Sequence, residues 1–85
     1  TMEAANLIHM ANRIGEFFAA FPDRAEALDG VATHLAKFWD PRMRRQIFAE
    51  LDAGRAEDLS PLVRESLLRN RAKLTPEASR ERSPQ

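Results

Sequence analysis

The sequence predicts an all-α fold, a small bundle of about four helices joined by short connections. Three observations support this fold class. Apolar residues recur at intervals of three and four positions along most of the chain, which is the spacing of one buried helix face. Proline adjoins a capping residue, a common helix start, at Pro22-Asp23, Asp40-Pro41 and Ser60-Pro61. β-Branched residues are scarce, so the composition does not favour strands.

The first two helices are predicted at residues 3–21 and 23–39. Gly15 lies inside the first one, where glycine costs about 1 kcal/mol relative to alanine, so we expect another element to approach closely there. Asp29-Gly30 interrupts the apolar pattern of the second helix. Its flanks lack the alternation of a hairpin, so Gly30 is interpreted as a packing glycine inside one helix.

The third helix should run from Pro41 to about Ala53, with Gly54 available as a C-cap, and the fourth should run from Pro61 to about Leu74. The residues expected to be mostly buried include Phe17, Phe18, Val31, Leu35, Phe38, Ile47 and Leu51.

The chain should form a single helical domain over residues 1–74, followed by a flexible tail over residues 75–85. No large apolar residue remains after Pro76, so this segment cannot bury enough surface to fold by itself. An 85-residue chain has a thin core, and a partner could supply further burial.

The composition argues against chemistry carried by this chain alone. Cysteine is absent, and His9 and His34 stand too far apart in sequence for a recognisable zinc motif. The serines lack a nucleophile motif, and the scattered glycines form no phosphate-binding loop. We therefore expect no catalytic residue, no metal site and no bound cofactor.

The expected location is the cytoplasm. The chain lacks a signal-peptide pattern and a run of about 20 apolar residues that could span a membrane, and the absence of cysteine fits a reducing compartment. Neither a membrane nor nucleic acid is an expected partner. The case for nucleic-acid binding would rest on the arginines alone. A net charge of zero weakens that case, because duplex binding needs a broad basic surface.

The stretch F-W-D-P-R-M-R-R-Q-I at residues 38–47 is the leading candidate for a binding surface. It contains the only tryptophan, Trp39, and it places Arg42, Arg44 and Arg45 in the first turn of the third helix, where the helix dipole disfavours cations. We expect the three arginines to be exposed and to bind an acidic protein surface or a phosphate. For Trp39 the favoured interpretation is a core aromatic residue, although tryptophan and arginine are also enriched at interface hot spots.

A second candidate surface is a polar stripe on the first helix. Asn6, His9, Asn12 and Arg13 are spaced to lie along one side, where they could hydrogen-bond to a partner. An ordinary solvated helix face explains the same pattern and is the favoured interpretation for this stripe.

Two segments resemble a known family, N-L-I-H-M-A-N-R-I-G-E-F-F at residues 6–18 and F-W-D-P-R-M-R-R-Q-I at residues 38–47. They are similar to the signature stretches of the delta subunit of NAD-dependent, molybdenum-containing formate dehydrogenases, and the resemblance covers about residues 6–68. In that family the catalytic alpha subunit holds a molybdenum guanine dinucleotide cofactor, and the delta subunit has no redox centre.

The resemblance implies a non-catalytic accessory subunit that docks on the catalytic alpha subunit and supports its assembly, cofactor retention or stability. The arginines would then contact the alpha subunit or the phosphate groups of its cofactor. The alternative is a maturation chaperone that binds the guanine dinucleotide cofactor, or the protein that accepts it, only transiently.

Overall fold

The computed structural model describes residues 3–76, and this part of the chain contains five α-helices and no strand. The helices are α1 (Ala4–Ala19), α2 (Arg24–Phe38), α3 (Pro41–Asp52), α4 (Pro61–Arg69) and α5 (Arg71–Leu74). The predicted all-α bundle is confirmed. The predicted fourth helix is divided at Asn70 into α4 and the single turn α5. Of the predicted tail at residues 75–85, Thr75 and Pro76 are half-buried, and residues 77–85 lie outside the described residues.

The three proline-associated start signals all begin helices. Asp23 accepts a hydrogen bond from the Ala25 N–H at 2.9 Å and caps α2. Asp40 accepts from the Met43 N–H at 3.0 Å and caps α3. Ser60 caps α4 in the same way, and both α3 and α4 have proline in the first turn, where a missing N–H is no loss.

The C-terminus of α3 is closed by a Schellman motif. The Gly54 N–H donates to the Leu51 carbonyl at 3.2 Å, and the Arg55 N–H donates to the Glu50 carbonyl at 2.9 Å. Gly54 has a φ of 74°, a left-handed conformation that strains residues with a side chain. The predicted role of Gly54 as a cap is therefore confirmed.

Helix α2 forms the centre of the bundle and packs against both α1 and α4. The most deeply buried side chains come from every helix and include Leu7, Val31, Leu35, Ile47, Val63, Leu67 and Leu74. Ser66 is fully buried among them, and its hydroxyl donates to the Leu28 carbonyl at 2.7 Å. This bond ties α4 directly to the backbone of α2.

Two glycines allow helices to approach closely. A Cβ built at Gly15 would lie 2.5 Å from Cγ2 of Val63, so α1 crosses α4 at a distance that only glycine permits. A Cβ at Gly30 would lie 2.4 Å from the ring of Phe18, which rests on the α2 backbone. The expected close approach at Gly15 and the expected packing role of Gly30 are both confirmed.

Asn12 connects α1 to the loop that precedes α4. Its side-chain oxygen accepts from the Ser60 N–H at 2.8 Å, and its amide nitrogen donates to the Asp58 carbonyl at 2.9 Å. These two bonds lie one turn before Gly15, so they fix the start of α4 against the same side of α1. Asn12 is thus a structural residue as well as a member of the predicted polar stripe.

The prediction that Phe17 and Phe38 are mostly buried is wrong, because their side chains are 66% and 68% exposed. Phe17 lies about 200° around α1 from Gly15, at the opposite side from the buried face. Phe38 and Trp39 are adjacent, and only the tryptophan side chain enters the core. The extended backbone at Trp39 turns the tryptophan inward, which leaves it 5% exposed and leaves Phe38 at the surface. Val31, Leu35 and Ile47 are buried as expected, while Phe18 and Leu51 are half-buried.

Replacing Gly15 by alanine should destabilise the domain. Val63 is fully buried, so its side chain has no space into which to move away from the new methyl group. The cost of this overpacking, about 1–3 kcal/mol, should exceed the gain of up to about 1 kcal/mol from the higher helix propensity of alanine. Gly30→Ala is the matched control, since the half-buried Phe18 ring can move toward solvent. Thermal unfolding should show a lower Tm for Gly15→Ala and a change of only a few degrees for Gly30→Ala. An unchanged or raised Tm for Gly15→Ala would contradict the close crossing.

Replacing Asn12 by alanine should lower the free energy of unfolding by about 1–3 kcal/mol, because the part-buried Ser60 N–H loses its acceptor. Asn12→Asp keeps an acceptor for the Ser60 N–H but replaces the amide donor with a carboxylate that faces the Asp58 carbonyl, so it should be destabilising as well. Denaturant unfolding at pH 7 measures both variants. An unchanged free energy of unfolding for Asn12→Ala would oppose the structural role of these two bonds.

Candidate docking surface

The F-W-D-P-R-M-R-R string forms the corner between α2 and α3, where neighbouring residues have different roles. The Trp39 N–H donates to the Leu35 carbonyl and completes the last turn of α2, while its side chain enters the core. Asp40 and Pro41 then start α3. The core interpretation of Trp39 is confirmed, so the tryptophan supports the predicted surface from beneath.

The three arginines of this string do not share one environment. Arg42 is exposed, as expected. The expectation of exposure is wrong for Arg44 and Arg45, which are half-buried. Arg44 reaches α5 and donates from Nη1 to the Leu74 carbonyl at 3.3 Å, which satisfies a carbonyl at the end of that helix. Its Nε is buried and has no hydrogen-bond partner within residues 3–76. Arg44 therefore helps to hold α5 against α3.

The polar stripe of α1 divides in a similar way. Asn6, His9 and Arg13 are exposed, whereas Asn12 is half-buried and bonded to the loop before α4. His9 and Asn12 line a shallow cleft of about 200 Å³ that also borders Asp58. Three members of the stripe are therefore open to contact by another molecule.

Exposed phenylalanines form a further surface that the sequence analysis missed. Phe17, Phe18 and Phe21 make a ring cluster at the end of α1, with centroids 4.9–5.9 Å apart. Phe38 contacts the His34 ring on α2, with centroids 4.8 Å apart. We call these five residues the aromatic surface. The available signal was the pairs Phe17-Phe18 and Phe38-Trp39, since adjacent residues of a helix point about 100° apart and rarely share one buried face.

The two halves of the aromatic surface meet in an open groove of about 390 Å³ between α1 and α2. Its lining residues are Phe18, Asp29, Gly30, Thr33, His34, Lys37 and Phe38. On α2 these positions recur at intervals of three and four, so they lie along one side of the helix. On this side of α2 the Phe18 ring of α1 lies over Gly30, and Asp29, Thr33, Lys37 and Phe38 are exposed.

Several of the remaining arginines are engaged by carboxylates of the domain itself. The Arg71 guanidinium donates to Asp52 at 2.8 Å and lies over the Phe48 ring, and its hydrogen bonds hold the pKa of Asp52 below the ordinary value. Hydrogen bonds from Arg24 likewise lower the pKa of Glu65, which also pairs with Arg69. These ion pairs are exposed to solvent, so each contributes little to the stability of the fold. Their small contribution is lost as the pH falls through the lowered pKa values of the carboxyl groups.

Glu50 is held by Arg55 through bonds of 2.8 and 3.3 Å, and these hydrogen bonds lower its pKa too. Arg13 and Arg42 differ from these paired arginines, because within residues 3–76 they make no hydrogen bond or ion pair. Their guanidinium groups are consequently available to an anionic partner.

Within residues 3–76 no group of three or more histidine and acidic side chains is placed to hold a metal ion. None of the helices described is both long and apolar enough to cross a lipid bilayer. The features that the geometry does present are contact features: exposed aromatic rings, open grooves, and two exposed arginines, Arg13 and Arg42, that have no partner within residues 3–76.

Comparison with known proteins identifies a family for nearly the whole bundle. A family model described as the NADH-dependent formate dehydrogenase delta subunit, FdsD, matches residues 6–67. The matched range begins in α1, includes all of α2 and α3, and ends within α4. Searches of curated proteins and of solved structures returned no significant match. The chain therefore belongs to the family of formate dehydrogenase delta subunits.

Proposed function

We propose that this chain is a non-catalytic accessory subunit that docks on the molybdenum-containing catalytic subunit of an NAD-dependent formate dehydrogenase. Its docking supports the assembly, cofactor retention or stability of that subunit. The observation that carries the proposal is the family match, which spans the packed bundle from α1 to α4 and thus concerns the folded unit as a whole. A delta subunit acts within a complex, so its surface is where its function resides.

The surface has the chemistry that this role needs. Arg42 on α3 and Arg13 on α1 are exposed cations without internal partners in the described part of the chain. Asn6 and His9 add exposed groups that can hydrogen-bond. We propose that Arg42 contacts an acidic patch of the catalytic subunit, with the phosphate groups of its guanine dinucleotide cofactor as the alternative ligand. Beside Arg42, Trp39 is buried in the core and Arg44 is bonded to the Leu74 carbonyl, so these two residues support the fold of the corner.

Affinity purification from native cell extract tests the proposed role. The tagged full-length chain should recover the catalytic subunit at equal stoichiometry, with formate-oxidising activity in the recovered complex. A transient chaperone would instead recover the catalytic subunit in small amounts and mainly in its cofactor-free form. Recovery of no formate dehydrogenase subunit would overturn both roles.

Replacing Arg42 by alanine should weaken assembly by about 1–2 kcal/mol, since a charged contact at an interface is lost. The Tm should stay unchanged or rise slightly, because Arg42 has no internal partner in residues 3–76 and removal relieves its conflict with the helix dipole. Binding of the purified variant to formate dehydrogenase lacking its delta subunit, measured at low and high salt, tests both statements. The loss should be largest at low salt.

Arg69→Ala is the matched control for this measurement. Arg69 is an exposed arginine that pairs only at the surface with Glu65, and it lies beyond the matched residues 6–67. Its removal should leave assembly unchanged. Equal losses for the two variants would show that overall charge, rather than Arg42, governs binding.

A further inference from the structure

We infer that the open groove between α1 and α2 is a homodimer interface, in which the α2 helix of a second copy of this chain lies antiparallel across the exposed side of α2. The twofold axis of this dimer passes beside Thr33, which lines the groove. The inference goes beyond the proposed function, because it concerns the chain by itself and does not use the arginine proposed to contact the catalytic subunit.

The charged residues of the groove are the first argument for a second copy. Asp29 precedes Thr33 by four residues and Lys37 follows it by four, and all three are exposed on one side of α2. At a rise of about 1.5 Å per residue, the two charges lie about 6 Å along the helix from Thr33, in opposite directions. A twofold axis beside Thr33 therefore places Asp29 of each copy opposite Lys37 of the other.

The same charges select the direction of the pairing. If the two α2 helices were parallel and in register, like charges would face each other at both ends of the groove, which opposes association. Antiparallel pairing replaces these repulsions by two symmetry-related ion pairs. An ion pair near the surface contributes little energy, so the charges determine orientation and register, and the affinity comes from apolar contacts.

The aromatic rings are self-complementary in the same arrangement. Phe38 follows Thr33 by five residues, or about 7.5 Å along α2, and Gly30 precedes it by three, or about 4.5 Å. The Phe18 ring rests on Gly30 and lines the groove there. Antiparallel pairing thus brings Phe38, which is 68% exposed, close to the level of the Phe18 ring of the other copy. Each copy supplies both halves of an aromatic contact, and such contacts supply much of the affinity of an interface.

A second copy is preferred over other occupants because this chain contains the complementary charge and the complementary ring at the matching positions. The chain's own last segment offers neither ring nor large aliphatic side chain, since residues 77–85 read E-A-S-R-E-R-S-P-Q. The groove, of about 390 Å³, is short, so the interface belongs to the small class. We expect a dimer with a Kd on the order of 10 µM.

Sedimentation velocity of the purified full-length chain tests the interface. The natural chain should show a concentration-dependent equilibrium between monomer and dimer. Phe38→Ser should weaken dimerisation at least about tenfold, with an unchanged Tm because that ring is exposed. Leu68→Ser is the matched control, since Leu68 is 52% exposed but lies on α4, outside the groove. This control should dimerise as the natural chain does.

A charge-exchange experiment tests the antiparallel register. Asp29→Lys makes both ends of the groove positive and Lys37→Glu makes both negative, so each single variant should dimerise severalfold more weakly than the natural chain at low salt. An equimolar mixture of the two single variants should form a heterodimer, because every facing pair then has opposite charges. The variant that carries both substitutions should regain the homodimer for the same reason.

Three results would overturn the inference. The first is a natural chain that stays monomeric at about 1 mM, roughly a hundredfold above the expected Kd. The second is a dimer that Phe38→Ser leaves unchanged, and the third is a mixture of the single charge variants that associates no better than either variant alone. None of these results bears on the proposed function, which is measured by recovery of the catalytic subunit, so the two can fail independently.

Discussion

The close crossing of α1 and α4 is the constraint on which the arrangement of this bundle depends. Gly15 allows the α1 backbone to meet Val63, and Asn12, one turn earlier, holds both Ser60 and Asp58 at the start of α4. With α4 fixed in this way, Ser66 reaches the α2 backbone. A thin core gains specificity from these contacts, because hydrophobic burial alone does not select one helix register over its neighbours.

The helices could be predicted from the sequence because their starts and ends are determined by a few adjacent residues. Asp40-Pro41 and Ser60-Pro61 begin helices for reasons contained in two or three residues, and Gly54 ends α3 through its own left-handed backbone. The break at Asn70 could not be predicted, since the apolar pattern continues through it to the fully buried Leu74. Periodicity reports which residues share a face and is insensitive to a single irregular turn.

The candidate surface was harder to predict than the fold, for a physical reason. Whether Phe38 or Trp39 enters the core depends on the backbone angle at one residue after α2, and whether Arg44 is exposed depends on the position of α5. Both outcomes depend on tertiary packing, which cannot be deduced from the amino-acid composition. The string F-W-D-P-R-M-R-R therefore contains residues with two different roles. Trp39, Asp40 and Arg44 stabilise the fold. Phe38 and Arg42 remain at the surface.

The buried position of Trp39 makes the chain its own optical reporter. The sequence has one tryptophan and no tyrosine, so near-ultraviolet absorption and intrinsic fluorescence arise almost entirely from one indole ring. That ring is 5% exposed and belongs to the core, and Trp39 directly follows Phe38 of the aromatic surface in the sequence. Its emission should therefore respond to loosening of the corner between α2 and α3. An unlabelled chain thus carries an intrinsic probe at the junction between its folding core and its contact surface.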